Sequence, residues 1–269
     1  MNPIDWKIRN GYLNPALPIV LGGDFSGIVV GVGASVTSFV PGDEVYGSAF
    51  MLKNGSGSFA EYCVTDISNI AIKPKNADHL EAAALPLAGV SALEALTETM
   101  HISKGFKLLI HGGAGGIGHY AIQIAKNLGA TVATTINSKD TDFVRDLGAT
   151  VVIDYKKEKF EERISRYDGV LDTVGGDVYK RSFSVLRKGA VIVSMVAKPD
   201  ENLMQQYDVR SVLQFTQITS ERLQKLSALV DRNIIRIHID KVYPLNQVDE
   251  ALSYLQNGSP EGKVVIKIR

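Results

Sequence analysis

The sequence is poor in the residues that staple, anchor or metallate a protein. It has one cysteine, Cys63, in 269 residues. No intrachain disulfide can form, and a structural zinc held by four cysteines is excluded by count. Its five histidines, His79, His101, His111, His119 and His238, are scattered without ligand spacing. Each reads as a structural or surface residue, and no metal is expected. Cys63 lies in an alternating apolar stretch and reads as a small buried hydrophobe. No apolar run reaches the length that spans a bilayer. The opening residues, MNPIDWKIRNGY, have no basic stretch leading into an apolar core, so a secretory signal is not expected and a cytoplasmic setting is. Net charge is missing as well, with 29 basic and 29 acidic residues. Neither nucleic acid nor an anionic membrane is expected as a partner. Internal repeats and low-complexity segments are also absent.

What remains is ordinary globular composition, 45% hydrophobic and 22% charged, enough for a large core. The strongest pattern is LLIHGGAGGIGHYAIQIAK, residues 108–126. It reads as a short apolar strand, a glycine turn and an apolar-faced helix. Gly113, Gly115 and Gly118 stand at G-x-G-x-x-G spacing, with Ala114, Gly116 and Ile117 between them. That spacing lets the chain turn sharply, admits a pyrophosphate to the backbone, and packs the new helix against the strand. The helix N-terminus offers N–H groups and a positive dipole end to phosphate. The motif alone is weak, because a glycine turn can serve only as a tight connection. Its flanking strand and helix make it a dinucleotide site.

Before this unit the chain reads as short strands divided by Gly and Pro, which argues for a small barrel or sandwich. Strands are expected at 25–32, 44–47, 59–65 and 70–73, with a flexible loop at 54–58. Asp78 is an expected N-cap, and residues 87–101 carry helical periodicity. After the glycine turn, strands at 131–135, 151–154, 169–172 and 190–195 alternate with helices at 139–147, 157–164 and 178–186. This order, with near-continuous apolar strands, predicts an α/β doubly wound parallel sheet covered on both faces. Residues 200–206 read as a loop and 209–215 as a further strand. Helices follow at 220–231, capped by Ser220, and at 246–256, capped by Asn246. Strands are expected at 234–239 and 263–267.

The residues resemble the zinc-independent quinone oxidoreductase branch of the medium-chain dehydrogenase/reductase family. The matching stretches are Asn2-Pro3-Ile4-Asp5-Trp6-Lys7, Gly23-Asp24-Phe25-Ser26-Gly27, Gly42-Asp43-Glu44-Val45, Phe59-Ala60-Glu61-Tyr62, residues 82–91 (AAALPLAGVS), the glycine turn, Asp172-Thr173-Val174-Gly175-Gly176 and Gly262-Lys263-Val264-Val265. The resemblance implies a GroES-like β-barrel domain, residues 1–86 and 240–269, and a Rossmann domain, residues 87–239. It also implies a barrel shortened at its start, because relatives carry strands before the Asn-Pro-x-Asp segment. Zinc-dependent relatives have Gly-His-Glu where this chain has Gly23-Asp24-Phe25.

An NAD-type site places an acid at the end of the second strand, about 20 residues past the turn, on the ribose 2′-OH. Here that strand ends Thr135-Ile136-Asn137-Ser138-Lys139. A hydroxyl followed by a cation suits a 2′-phosphate, so NADPH is expected over NADH. The other reading is that Ser138 caps the next helix and Lys139 is solvated. The resemblance adds Tyr155 near that phosphate, Ser91 at the nicotinamide carboxamide, and Thr173, Gly175, Ser194 and Lys263 as further cofactor contacts. For Thr173 and Lys263 a core or loop role is an equal alternative. Tyr155-Lys156-Lys157-Glu158-Lys159 matches Y-x-x-x-K, but it follows the third strand and opens a short charged helix, and is rejected as catalytic. The implied reaction is hydride transfer to a quinone or α,β-unsaturated carbonyl. Asn2, Lys7 and Tyr46 are the candidate donors to the acceptor's oxygen, with Tyr46 equally readable as a barrel core residue. A second reading is an NADPH-binding protein with little turnover. By analogy, residues 209–215 could pair across a homodimer.

Overall fold

The structure, a computed structural model, describes residues 1–51 and 55–269. Asn54, in the expected 54–58 loop, lies outside the described residues. By its contacts the chain falls into two compact units, Met1–Val90 with Gln217–Arg269, and Ser91–Thr216.

The first unit begins with α1 (Pro3–Arg9), β1 (Asp24–Ile28), β2 (Glu44–Ser48), β3 (Ile70–Ile72) and α2 (His79–Ala84), and α3 (Pro86–Leu93) leads out of it. The second contains β4 (Lys107–His111), α4 (Gly118–Asn127), β5 (Thr131–Ile136), α5 (Thr141–Leu147), β6 (Val151–Asp154), β7 (Tyr167–Asp172), α6 (Gly176–Ser182), β8 (Leu186–Ser194), α7 (Glu201–Tyr207) and β9 (Arg210–Leu213). The chain then returns to the first unit with α8 (Ser220–Asp231), β10 (Ile239–Pro244), α9 (Val248–Asn257) and β11 (Lys263–Lys267).

Among the described residues the second unit forms a six-stranded parallel sheet in the order β6-β5-β4-β7-β8-β9. The order reverses at β4, so the crevice beyond its C-terminal end is the expected ligand position. Leu108, Leu109, Ile110, Val132, Ala133, Val170, Leu171, Ile192 and Val193 are fully buried, which explains the apolar runs. Burying each of the larger side chains contributes roughly 1.5–3 kcal/mol. Gly148, at φ 117°, ends α5 in a left-handed turn.

In the first unit β1, β2 and β3 form an antiparallel sheet, while β10 and β11 pair in parallel. The Asp78 carboxylate accepts from Glu81 N–H at 2.8 Å, and the Glu81 carboxylate accepts from Asp78 N–H at 2.9 Å, so α2 starts on a capping box. Ile28, Val30, Val40 and Ile72 are exposed. The sequence placed the domain boundary at 239/240, whereas α8 groups with the first unit. Tyr46 Oη donates to the Leu223 carbonyl at 2.6 Å, and Ser227 Oγ donates to Tyr46 Oη at 3.0 Å. These bonds tie α8 to the small sheet.

Several local expectations change. Residues 59–65 are not a strand, since alternation without a ladder partner does not make one. That stretch is tied down through Ser56 N–H to the Val64 carbonyl at 3.0 Å and Thr65 Oγ to the Ser48 carbonyl at 2.6 Å. The β1 strand stops at Ile28 rather than Val32. Residues 157–164 hold only the 3₁₀ turn Phe160–Glu162. Residues 201–207 are helical instead of a loop, because the Asp200 carboxylate accepts from Leu203 N–H at 3.2 Å and caps α7. The cap of α8 is Thr219, while Ser220 Oγ donates to the Ile67 and Ile70 carbonyls. The penultimate strand is β10, five residues beyond the expected start at 234.

Candidate functional site

The glycine turn joins β4 to α4, and its three fingerprint glycines have different surroundings. A Cβ at Gly113 would clash with Thr134 Oγ1 and lie 2.9 Å from Thr134 Cβ. That position is closed by β5, whose Thr134 hydroxyl donates to the Ile110 carbonyl at 2.7 Å. A Cβ at Gly118 would clash with the Gly112 carbonyl oxygen and come within 2.7 Å of Gly113 Cα. A Cβ at Gly115 would meet only the Gly112 oxygen, at an ordinary 3.4 Å. Two glycines are therefore needed by the protein itself. The third leaves open space where a pyrophosphate approaches in this motif. No side chain caps α4, and His119 N–H donates to the Gly115 carbonyl at 3.1 Å; the N-terminal end of α4 is the expected anion contact of such a turn. The turn fits a dinucleotide, and Ala114, Gly116 and Ile117 supply the rest of its backbone.

A buried polar network fixes the neighbouring strand ends. Asp172 Oδ1, at the end of β7, accepts from the N–H groups of Val174 and Gly175 at 2.9 and 2.8 Å. Its Oδ2 accepts from Ser194 Oγ at 2.7 Å, and Ser194 Oγ in turn accepts from Ala197 N–H at 2.9 Å and Val196 N–H at 3.2 Å. The Ser194 hydroxyl is thus committed to shaping the loop after β8 rather than to a ligand. Thr173 Oγ1 donates to the His111 carbonyl at 2.8 Å and so braces the start of the glycine turn. Gly175 is left-handed at φ 78°, and a Cβ there would lie 2.7 Å from Val196.

His111 completes the network. Its Nε2 is 2.9 Å from Ser182 Oγ, and that hydroxyl donates its proton to the Val178 carbonyl at 2.7 Å. Nε2 must therefore carry a proton and donate. Nδ1 is then the acceptor for Thr135 Oγ1 at 3.0 Å. Burial pushes the imidazole down to about 4, so it is neutral at pH 7.

At the end of β5, Ser138 opens a 3₁₀ turn, and its hydroxyl donates to Asp154 Oδ2 at 2.6 Å. It does not cap α5. Lys139 is half exposed, its ammonium 3.6 Å from Asp140 Oδ1. Tyr155 is exposed beside this turn, its N–H bonded to the Ile136 carbonyl. The acid missing from β5 is present next door: Asp154 ends β6, in register with Ile136. Nothing in the spacing after the glycine turn signals it, because the contact arises from strand pairing.

Ser91 is buried, its hydroxyl 2.7 Å from Thr216 Oγ1. Gln214, just past β9, donates from Nε2 to the Ser91 carbonyl at 3.1 Å and to Thr216 Oγ1 at 3.2 Å. Its Oε1 is buried without a partner among the described residues. Sequence reading missed Gln214, because a single glutamine at a strand end carries no motif.

In the first unit Asn2, Asp5, Asp24 and Lys263 converge. Lys263 Nζ, 3% exposed as a residue, donates to Asn2 Oδ1 at 2.6 Å and to the Met1 carbonyl at 2.8 Å. Asn2 Nδ2 donates to Asp24 Oδ2 at 2.8 Å, and Asp24 Oδ1 accepts from Leu87 N–H at 3.1 Å. Asn2 N–H donates to Asp5 Oδ2 at 2.7 Å. Burial lowers the Lys263 ammonium from its usual range, while Asp24 and Asp5 hold it up. Lys263 thus orients the Asn2 amide, a structural position and not an open one. Lys7 is half-buried, its ammonium 5.7 Å from the Trp6 ring centroid. Tyr46 is fully buried with its proton given to Leu223, and burial raises its hydroxyl well above the ordinary value. This is a core tyrosine, not a proton donor to a ligand.

No group of three or more His, Cys, Asp or Glu among the described residues is placed to hold a metal. Burial raises the Cys63 thiol to about 11, which disfavours a thiolate ligand. No helix among the described residues is long and apolar enough to cross a membrane.

Residues 1–75 match the alcohol dehydrogenase GroES-like domain, and residues 147–266 match the family described as zinc-binding dehydrogenase. The zinc in that description has no fitting ligand set among the residues above. The 2-methylene-furan-3-one reductase of Solanum lycopersicum is 37% identical over 99% of this chain and 69% of its own length. The chloroplastic NADPH-dependent alkenal/one oxidoreductase of Arabidopsis thaliana is 35% identical over the same shares of the two chains. The quinone oxidoreductase of Escherichia coli, solved in complex with NADPH, superposes with a TM-score of 0.88 at 26% identity, covering 100% of this chain and 88% of that one. With its GroES-like segment, its Rossmann sheet and its glycine turn, the chain belongs to the medium-chain dehydrogenase/reductase family, as an oxidoreductase of the quinone oxidoreductase type with a nicotinamide cofactor.

Proposed function

We propose that the protein is an NADPH-dependent, metal-independent reductase of quinones or α,β-unsaturated carbonyls. The observation that carries this reading is the open face of Gly115 between two sterically locked glycines. Around it, Gly113–Gly118 and the start of α4 hold the pyrophosphate. Ser138, Lys139 and Tyr155 face the adenosine ribose. Ser91 and Thr216 offer hydroxyls to the carboxamide, and the unpartnered Gln214 Oε1 offers it an acceptor. When bound, NADPH supplies the hydride. The protein's remaining task is to stabilise negative charge on the acceptor's oxygen, which donors rather than a metal would do. Asn2 and Lys7 are the donors we propose. Thr173, Gly175 and Ser194 act by holding the strand ends in shape. The reductase named among the relatives acts on a methylene-furanone and the Arabidopsis relative on alkenals and alkenones, which supports an activated alkene as substrate class.

NADPH oxidation is to be followed with a panel of quinones and enones, alongside calorimetric titration of NADPH and NADH. Turnover on at least one acceptor is expected. A second reading, an NADPH-binding protein with little turnover, is favoured by one observation: the Asn2 amide is already engaged at both ends, by Lys263 and Asp24. Tight NADPH binding without turnover on any acceptor would select it.

A further inference from the structure

In the region expected to receive the 2′-substituent of the adenosine ribose, two cations are already compensated by the protein. Two ammonium groups stand there, and each faces a carboxylate of the protein. Lys139 Nζ is 3.6 Å from Asp140 Oδ1, and Lys157 Nζ is 3.4 Å from Asp154 Oδ2. Both carboxylates are nearly buried, while the lysines are exposed at 55% and 70% of their side-chain surface. The Ser138 hydroxyl is spent as well. Its single proton goes to Asp154 at 2.6 Å, and its oxygen accepts from Lys157 Nζ at 3.2 Å.

These contacts bear directly on nucleotide choice. A 2′-phosphate needs donors and uncompensated positive charge, whereas a ribose 2′-OH needs an acceptor. As arranged, Ser138 is an acceptor backed by a carboxylate. The hydroxyl of Ser138 and the N–H of Lys156 hold the Asp154 carboxyl below its usual range, so it is ionised at neutral pH. Register explains how the acid arrives: Asp154 is paired with Ile136, two residues before Ser138.

We infer that Asp154 is a specificity-determining residue that works against the 2′-phosphate, by taking the Ser138 proton and neutralising Lys157. This rests on the reading that the glycine turn binds a nicotinamide dinucleotide. It refines the nucleotide preference: the unaltered chain accepts both NADPH and NADH, with NADPH ahead by less than its two lysines suggest. Asp154→Asn is the direct perturbation. An asparagine keeps Oδ1 as the acceptor for Lys156 N–H and so preserves the turn. Its Nδ2 donates toward Ser138 Oγ, which frees the hydroxyl proton for a phosphate oxygen, and Lys157 loses its counter-charge.

The test is calorimetric titration of the full chain with NADPH and with NADH at fixed ionic strength. Unaltered protein, Asp154→Asn, Asp154→Asn with Ser138→Ala, and Lys157→Ala are compared, each checked by thermal melting. Asp154→Asn is expected to tighten NADPH roughly tenfold, the scale of one charge removed close to a phosphate in a largely solvated place, with no gain for NADH. Adding Ser138→Ala should remove part of that gain. Lys157→Ala should weaken NADPH and spare NADH. An unchanged NADPH-to-NADH ratio in Asp154→Asn overturns the inference while leaving the dinucleotide reading intact. If Asp154→Asn does not fold, unchanged NADPH affinity in Lys157→Ala overturns it equally. Failure of the unaltered chain to bind either nucleotide overturns the dinucleotide reading itself, and this inference with it.

Discussion

Substituting Gly115 and Gly118 separately by alanine should split stability from binding. At Gly118 the new Cβ would press on the Gly112 carbonyl and on Gly113 Cα, both backbone atoms. To reach ordinary contact distance the turn and α4 must part by about 1 Å, and overpacking of this kind costs roughly 1–3 kcal/mol. At Gly115 the new Cβ meets one oxygen at 3.4 Å, and the position has no left-handed φ. Alanine there restricts the unfolded chain and should leave stability unchanged or raise it by about 0.4–1 kcal/mol. The same methyl occupies the space assigned to the pyrophosphate. Losing one charge-assisted hydrogen bond there costs about 2 kcal/mol, roughly a thirtyfold rise in Kd. Urea unfolding and calorimetric titration with NADPH read the two quantities independently. Gly118→Ala should be less stable, and Gly115→Ala should be stable but bind poorly. A Gly115→Ala protein that binds NADPH with unaltered affinity would refute the placement of the phosphates, whatever the stability data show.

Other outcomes follow from the same contacts. Tyr46→Phe strands the Leu223 carbonyl and should cost about 1–2 kcal/mol in urea unfolding with kcat unchanged; a tenfold fall in kcat at intact stability would return Tyr46 to the catalytic machinery. His111 has a folded value lowered from 6.5 to about 4. Its contribution is therefore complete above pH 6.5 and is lost as pH falls toward 4, where the unfolded chain takes up a proton the native one refuses. That loss amounts to about 3 kcal/mol, and His111→Gln should flatten this part of the stability-against-pH curve; an identical slope in the variant counts against it. Lys139→Glu should weaken NADPH selectively, measured as the ratio of Kd values for the two nucleotides, and equal weakening of NADH would argue against its place at the 2′-phosphate.

The second unit was the more legible part of the molecule. Its strands are buried on both faces, so 108–111, 131–135 and 169–172 announce themselves in the sequence, and Gly148 ends α5 where the pattern stops. Residues 59–65 show the converse. Ala60, Tyr62 and Val64 alternate with Glu61, Cys63 and Thr65 as strand residues do, yet Tyr62 and Val64 are exposed, because a strand exists only when another strand meets it. The polar 201–207 segment buries no side chain fully, so it has no apolar stripe to reveal its helix, and only the Asp200 cap hints at it. The glycine turn was readable because its spacing is dictated by backbone geometry within a few residues. Asp154 was not, because its importance comes from lying across a strand pair from Ser138. Lys263 illustrates the same limit: a lysine in a motif looks like a ligand contact until burial and two hydrogen bonds give it to Asn2 and the Met1 carbonyl.

The two-segment construction of the first unit matters for how the chain is made. Lys263 and Asn2 are bonded across 261 positions, and α8 lies far along the chain from the β2 tyrosine it holds. During translation residues 91–216 have all their sheet partners as soon as β9 emerges. The leading 90 residues also hold every partner of the β1-β2-β3 sheet, but they lack α8, which bonds Tyr46, and Lys263, which bonds Asn2. At typical synthesis rates they wait roughly 10–30 s for the segment that carries Lys263. The parallel sheet therefore has all its strands while the first unit still lacks its C-terminal segment. Residues 1–90 complete their packing only when residues 217–269 arrive.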